Sequence, residues 1–241
     1  MSFDVMWIGQ GGFIFRLGDK SLCIDPYFSN SVQKVDSFQR LVPPPMKPGD
    51  LDVTMVLCTH DHLDHLDEET LRRTDWTSTR FAGPSSCLDH YRRMGIPEEN
   101  LTSFNRGETL RLGSAVLHAV FADHTDDSVG VVIDYEGVAV YVMGDSRDHK
   151  RLRDVRRHRP DIVFACINGQ LGNMDYRQAA ALAEDLGVQV AVPCHYGMFK
   201  ENTEDPNKFR SALASADVAY VHLPYAEWRP LASLLAGGGS R

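Results

Sequence analysis

The sequence lacks what a membrane protein needs: no apolar run approaches the roughly 20 residues required to span a bilayer. Met1 to Phe15 lacks a basic stretch followed by a long apolar one, so no signal peptide is expected. Paired cysteines are missing too. Cys23, Cys58, Cys87, Cys166 and Cys194 are odd in number, widely spread and include no Cys-x-x-Cys. That argues against a thiolate zinc site and favours reduced core thiols in a cytoplasmic protein. Basic charge is scarce: 25 Lys and Arg against 33 Asp and Glu give a formal charge of −8. An acidic chain is a poor general binder of nucleic acid, where the phosphate backbone rewards a basic surface.

What remains is an ordinary globular composition, 43% hydrophobic and 24% charged, in 241 residues. The chain is long enough to bury a core. With no short-period repeat and no linker, it reads as one domain over residues 1–236 and a flexible Gly-Gly-Gly-Ser-Arg tail over 237–241. Strands are expected at Phe3 to Ile8, Phe13 to Leu17, Ser21 to Asp25 and Val53 to Cys58, the first three joined by Gly and Asp turns. A Pro-rich stretch holding Pro43-Pro44-Pro45 and Pro48-Gly49 reads as a loop forming a rim or lid. Short helices are expected at Asp67 to Arg73 and Pro84 to Met94, the latter stopped by Gly95.

Ala115 to Phe121, Val129 to Tyr135 and Val138 to Met143 form an expected antiparallel set, with Glu136-Gly137 as a tight turn. A basic helix (Asp148 to His158), a buried strand (Asp161 to Ile167) and an Ala-rich helix (Tyr176 to Leu186, capped by Gly187) follow. The chain closes with a strand at Val188 to Pro193, a helix at Pro206 to Ala216 and a strand at Val218 to Leu223. Strand-rich segments open each half and helices accumulate after them. This α+β pattern predicts two sheets packed face to face with helices outside, an αββα sandwich of four layers.

His60, His62, Asp64 and His65 fall within six residues, directly after a buried strand. In an extended turn, residues two apart point the same way, so His60 and His62 can chelate one ion. Asp64 and His65 must diverge and can serve a second. Further ligands are expected where other buried strands hand over to loops: His124 after Ala115 to Asp123, Asp145 after Val138 to Gly144, and His195 after Val188 to Cys194. The Asp145 carboxylate can bridge two cations. His90, His118, His149, His158 and His222 read as structural.

This series, His60-x-His62-x-Asp64-His65 followed by His124, Asp145 and His195, resembles the ligand set of the metallo-β-lactamase superfamily. The resemblance implies that fold. It places His60, His62 and His124 on one metal, Asp64, His65 and His195 on a second, and Asp145 between them. Asp25, in Ile24-Asp25-Pro26, matches a superfamily aspartate that supports the histidine loop from behind. The stretch Thr59 to Asp67 is similar to the L-ascorbate-6-phosphate lactonase family. So are Gly83-Pro84-Ser85-Ser86-Cys87, Gly95-Ile96-Pro97, Gly144-Asp145-Ser146, Pro193-Cys194-His195 and Asp205-Pro206. The chain departs from that family in carrying His124 where an acidic residue stands, and in Arg147 after Gly-Asp-Ser.

Two cations about 3.5–4 Å apart can share a hydroxide poised to attack a carbonyl or phosphoryl centre. Asp64 is expected to protonate the leaving alkoxide. Nitrogen and oxygen ligands suit Zn²⁺, Mn²⁺ or Fe²⁺; the lactonase resemblance leans to Mn²⁺, the wider superfamily to Zn²⁺. For substrate, Arg147 and Lys150 are placed to hold a phosphate or carboxylate near the metals. Asn168, Tyr176, Tyr196 and Lys200 follow strand or motif ends and are expected to line the pocket. The expected partner is a small anionic molecule, with neither nucleic acid nor membrane, and a homo-oligomer is left open. The first reading is a lactonase acting on a sugar-like lactone. The alternatives are a phosphodiesterase for a small or cyclic phosphodiester and a non-catalytic metal-binding module.

Overall fold

A computed structural model describes residues 2–213 and 217–237. Two seven-stranded sheets carry the architecture. The first holds β1 (Phe3–Gly9), β2 (Gly12–Leu17), β3 (Lys20–Ile24), β4 (Met55–Leu57), β5 (Arg80–Gly83), β6 (Leu101–Ser103) and the late strand β14 (Trp228–Pro230), in the order β14-β1-β2-β3-β4-β5-β6. The second holds β7 (Thr109–Leu112), β8 (Ala115–Phe121), β9 (Val129–Tyr135), β10 (Val138–Val142), β11 (Ile162–Cys166), β12 (Val190–Cys194) and β13 (Ala219–Tyr220), in the order β13-β12-β11-β10-β9-β8-β7. Each sheet is antiparallel on one side and parallel on the other. The switch falls between β3 and β4 in the first sheet and between β10 and β11 in the second.

The sheets meet face to face through one continuous apolar cluster. Phe13, Phe15, Ile24 and Leu57 face Leu117, Ile133, Val142 and Phe164 in it, and Phe13 lies 4.6 Å from Phe164 between ring centroids. The outer face of the first sheet packs under α3 (Ser85–Met94), where Ile14, Cys23, Val56 and Phe81 join Cys87, Leu88 and Tyr91. The outer face of the second packs under α4 (Tyr176–Leu186) and a 3-10 helix at Lys150–His158. Both sheets are thus buried on both faces and helices form the outer layers, the expected αββα sandwich.

Local chemistry explains most boundaries. In α4, Asp175 accepts from the Arg177 and Gln178 backbone N–H groups and Gln178 reaches back to Asp175, while Gly187 ends the helix with φ 69°. The Glu136-Gly137 turn has both residues at positive φ, as a two-residue hairpin requires. The expected basic helix is a 3-10 helix over Lys150–His158, in which Leu152, Val155 and His158 recur every third residue. That spacing puts all three on one face of a three-residue turn, with Leu152 and Val155 buried.

The Pro-rich loop is preceded by a helix that the sequence does not announce, α1 (Ser31–Asp36). α2 (Glu68–Leu71) is shorter than expected, and α5 (Pro206–Ala212) stops short of residues 214–216, which lie outside the described residues. The last expected strand shrinks to the two residues of β13. The expected tail begins at Gly237, the final residue of α6 (Leu231–Gly237), and 238–241 lie outside the described residues. Among the described residues, no helix is long and apolar enough to cross a membrane.

Candidate metal centre

The histidine loop leaves β4 and folds back on itself: the His65 and Leu66 amides both donate to the His62 carbonyl, at 3.0 and 2.7 Å. Its base is fastened to both sheets. The Cys58 amide donates to Ala82 O at 3.1 Å, and the Val129 amide donates to Thr59 O at 3.0 Å. Asp67 sits where the loop enters α2, and its carboxylate accepts from the Phe28 and Ser29 amides and from the Thr70 hydroxyl. His124 follows β8, Asp145 follows β10 through Gly144, and His195 follows β12 with φ 60°. All four strand ends open at the same edge of the sandwich.

Seven side chains from these positions converge. His60, His62 and His124 form one group whose ligand atoms lie within 4.8 Å of one another; Asp64, His65 and His195 form a second; His60, His65 and Asp145 form a third between them. His62 Nδ1 lies 3.2 Å from His60 Nε2 and 3.0 Å from His124 Nε2. Asp145 reaches both groups: Oδ2 is 3.7 Å from His124 Nε2 and 3.2 Å from His195 Nε2, and Oδ1 is 3.4 Å from His65 Nε2. Asp64 Oδ2 stands 3.7 Å from His195 Nε2 and 3.9 Å from His65 Nε2.

The donor set fits divalent cations. His65 Nε2, His195 Nε2 and Asp145 Oδ1 are buried and close, yet out of line for hydrogen bonding, and none has a partner. Buried polar atoms are rarely left so, and these belong to groups of side chains whose ligand atoms cluster within 4.8 Å of one another. Burial, with His65 next in effect, pushes His60 well below the usual histidine range and so favours the neutral, ligating form. Burial opposes charge on His65 as well, but Asp145, Asp25 and Asp64 raise it well above that range. Burial alone would raise Asp145, yet His195 and His65 hold it well below the usual carboxylate range. The cluster is a preformed anionic well that protons or metal ions must fill.

Asp25 lies behind the loop, buried and at φ 48°. Its Oδ2 is 2.7 Å from His65 Nδ1 and accepts from Thr59 Oγ1 at 2.7 Å, and its Oδ1 accepts from the Thr59 amide at 2.7 Å. A carboxylate on Nδ1 sets the His65 tautomer that leaves Nε2 free to ligate. Two positioning residues escape the sequence reading. Gln10, in the turn between β1 and β2, donates through Nε2 to Asp64 Oδ2 at 2.8 Å. Asn173 donates through Nδ2 to Asp145 Oδ2 at 2.7 Å. Gln10-Gly11-Gly12 reads in the sequence as a mere connection, yet a Cβ on Gly11 would come within 2.8 Å of the His65 ring. A turn stripped of side chains is the one available signal. Asn173 has a fainter one, lying next to Gly172 just after a buried strand.

A cavity of about 470 Å³ opens over the cluster. His62, Asp64, His124 and Asp145 form its floor, and Val32, Phe38, Leu63, Leu171 and Phe199 form its apolar walls, with Asp36, Asp61 and Asn202. None of the six side chains expected to meet substrate is among the residues that line this cavity. Tyr176 lines a separate open hollow between α4 and α5, under Arg177 and Lys208. Tyr196 is buried against Trp7, with ring centroids 4.8 Å apart. Asn168 is buried and donates to Asn202 Oδ1 at 2.6 Å, one step behind the wall. Lys150 and Lys200 are exposed and outside the lining. Arg147 is also exposed and rests against Gly172: a Cβ there would lie 3.4 Å from Arg147 Nη2 and 3.3 Å from His124 Nδ1.

The sequence model described as the β-lactamase superfamily domain matches residues 21–196. A UPF0173 metal-dependent hydrolase of Pyrobaculum islandicum is 30% identical over 225 residues, covering 91% of this chain and 96% of that one. The chain belongs to the β-lactamase superfamily, among the UPF0173 metal-dependent hydrolases. A Methanosarcina mazei member of the same UPF0173 group is 24% identical over 219 residues, covering 87% of this chain and 90% of that one. Solved structures share the superfamily fold. Igni18, described as a metallo hydrolase from Ignicoccus hospitalis, superposes with a TM-score of 0.77 at 21% identity, over 95% of this chain and 98% of that one. A possible metal-dependent hydrolase from Veillonella parvula gives 0.80 at 14% identity, over 95% and 100%.

Proposed function

We propose that this superfamily member is a metal-dependent hydrolase of small carboxylic esters, with lactones as the leading substrate class. The observation that supports this most is the convergence of seven ligand-type side chains, with orphaned buried atoms, beneath one open cavity. Its relatives' description as metal-dependent hydrolases agrees. In this reading His60, His62 and His124 would hold one cation, Asp64, His65 and His195 would hold another, and Asp145 would serve both. Divalent cations bound there would supply an acidified water and Lewis-acid polarisation of the carbonyl.

The chain's own residues do the rest. Asp25 fixes His65 in its ligating tautomer. Asn173 and Gln10 orient the two carboxylates, Asp145 and Asp64. The apolar walls exclude bulk water, which strengthens the electrostatics within. Asp64 has two acceptor oxygens and is 18% exposed at the cavity floor. It takes the proton released from attacking water and passes it to the leaving alkoxide. In a lactone that alkoxide stays tethered to the acid, so one proton moved across Asp64 completes ring opening.

The test is metal analysis of the purified protein together with turnover on a panel of lactones and phosphodiesters. Two cations per chain with lactone turnover are expected. Phosphodiester turnover without lactone turnover would replace this reading with a phosphodiesterase, and a metal-free inert protein would replace it with a binding module. Asp64→Asn is expected to cut kcat about 10²–10⁴-fold, the usual contribution of a positioned acid–base group, while retaining the cation of His60, His62 and His124. Unchanged kcat removes Asp64 from the proton path.

A further inference from the structure

We infer that the substrate is uncharged outside its reacting group and carries an aliphatic or aromatic substituent seated between Phe38, Leu171 and Phe199. This rests on the ester-hydrolase reading, and it replaces the anionic substrate that the basic segment suggests.

The first argument is charge. Apart from the proposed ligands, the charged side chains lining the cavity are Asp36 and Asp61, and among the described residues neither Lys nor Arg lines it. A phosphate or second carboxylate seated against the apolar walls would lie beside Asp36 and Asp61, with no Lys or Arg among the described lining side chains to meet it. Such like-charge juxtaposition is what specific sites use to reject a partner.

The second argument is Leu171. It is 66% exposed and its backbone lies at φ 51°. An exposed leucine in the left-handed region is unfavourable on both counts, and such strain persists where the surroundings impose it for a purpose. The surroundings here are a short loop between Gly169 and Gly172, both at positive φ, closed by the Asn173 amide donating to Gln170 O at 3.0 Å and the Gly169 amide donating to Met174 O at 3.1 Å. The loop holds Leu171 over the cavity mouth.

The third argument is the opposite wall. Phe199 packs against Tyr27 and Phe38, at 5.7 and 6.2 Å between centroids, in a small apolar cluster separate from the two sheet cores. Val35 and Leu41, exposed at 69% and 57%, belong to the chain segment that supplies Val32 and Phe38. The large apolar side chains exposed among the described residues, Val35, Leu41 and Leu171, thus fall on the two chain segments that supply cavity walls, a distribution that suits a site receiving an apolar ligand group.

The test uses the full chain loaded with Zn²⁺ or Mn²⁺. Substrates are γ-lactones bearing unbranched side chains of increasing length, with a phosphorylated sugar lactone for comparison. The corresponding γ-lactams resist hydrolysis and report binding by calorimetry. Each methylene that enters the subsite is expected to raise kcat/KM, and to tighten lactam binding, about fourfold. Leu171→Gly relieves the backbone strain, so the melting temperature should hold or rise while the chain-length dependence flattens at least about tenfold for long chains. Lactam affinity independent of chain length, or preference for the phosphorylated lactone, overturns the inference. Chain-length-dependent lactam binding with every lactone inert upholds the apolar subsite and removes the ester-hydrolase reading instead.

Discussion

Gln10 ties Asp64 to His195. Its Nε2 donates to Asp64 Oδ2 at 2.8 Å, and its main-chain carbonyl accepts from the His195 amide at 2.9 Å and from Trp7 Nε1 at 3.0 Å. The residue is fully buried at φ 48°. One turn at the end of β1 therefore sets the separation of two proposed ligands that lie 131 positions apart in the chain (195 − 64).

Gln10→Leu keeps much of the volume and the backbone carbonyl but deletes the donor to Asp64. Loss of such an outer hydrogen bond costs about 10–100-fold in metal affinity. The loss should fall on one cation only, because His60, His62 and His124 do not depend on Gln10. A two-step chelator competition is expected to show one step weakened and one preserved. Equal weakening of both steps, or of neither, assigns Gln10 a purely structural role.

Asp25 offers a sharper test, because its two acceptor oxygens serve three donors: the Thr59 amide, the Thr59 hydroxyl and His65 Nδ1. Asp25→Asn tolerates the left-handed backbone but presents an NH₂ in place of one oxygen. If that NH₂ faces His65, the ring must accept on Nδ1 and carry its proton on Nε2, the atom aimed at the metal. The variant should fold and lose metal. Asp25→Ala strands buried donors and should lower stability by about 3–5 kcal/mol as well. Metal content and denaturant midpoint, measured on both variants, separate the two effects. An Asn variant with full metal content would refute the tautomer argument.

The site was legible in the sequence because its ligands sit at strand ends, and strand ends are where apolar runs stop. His124, Asp145 and His195 each follow a run long enough to read, and the structure brings all three to the His60–His65 loop. The large strands were legible for the same reason. β5, β6, β7 and β14 were not: three or four residues hold too few alternations to show a period. The cavity walls were equally silent. Phe38, Leu171 and Phe199 come from a loop, a glycine-flanked turn and a residue beyond His195, and no local pattern joins them. Arg147 and Lys150 are near the ligands in sequence, and both are exposed; Arg147 rests against Gly172 beside His124, while neither is among the residues that line the cavity.

The five cysteines predict a chemical silence. Cys23, Cys58, Cys87, Cys166 and Cys194 are all free and buried, and burial raises every one of their thiols well above the ordinary value. The thiolate is the reactive form, so both access and ionisation are denied. Native protein at pH 8 should give no rapid reaction with Ellman's reagent, and protein in guanidinium should give five equivalents. A fast equivalent in the native state would mean that one of these strands opens locally.

Metal removal should reverse the pH dependence of stability. In the metal-free protein burial disfavours charge on His65 and His195, but Asp145 outweighs it and raises both. A histidine raised above its unfolded value of about 6.5 stabilises the fold fully below that pH and loses its contribution as pH climbs through the folded value. His60 and His124, lowered chiefly by burial, act only below that window. Asp145, lowered, matters only at acid pH. Above pH 6.5 the metal-free protein should therefore weaken, by at most about 1.4 kcal/mol per pH unit for each proton held. With cations present, the same deprotonation tightens binding, and bound metal stabilises by mass action. Melting temperatures in chelator and in excess Zn²⁺ are expected to diverge steadily from pH 6.5 to 8.5. A gap that stays constant or closes over that range would mean that the protons on His65 and His195 are not the ones the metal displaces.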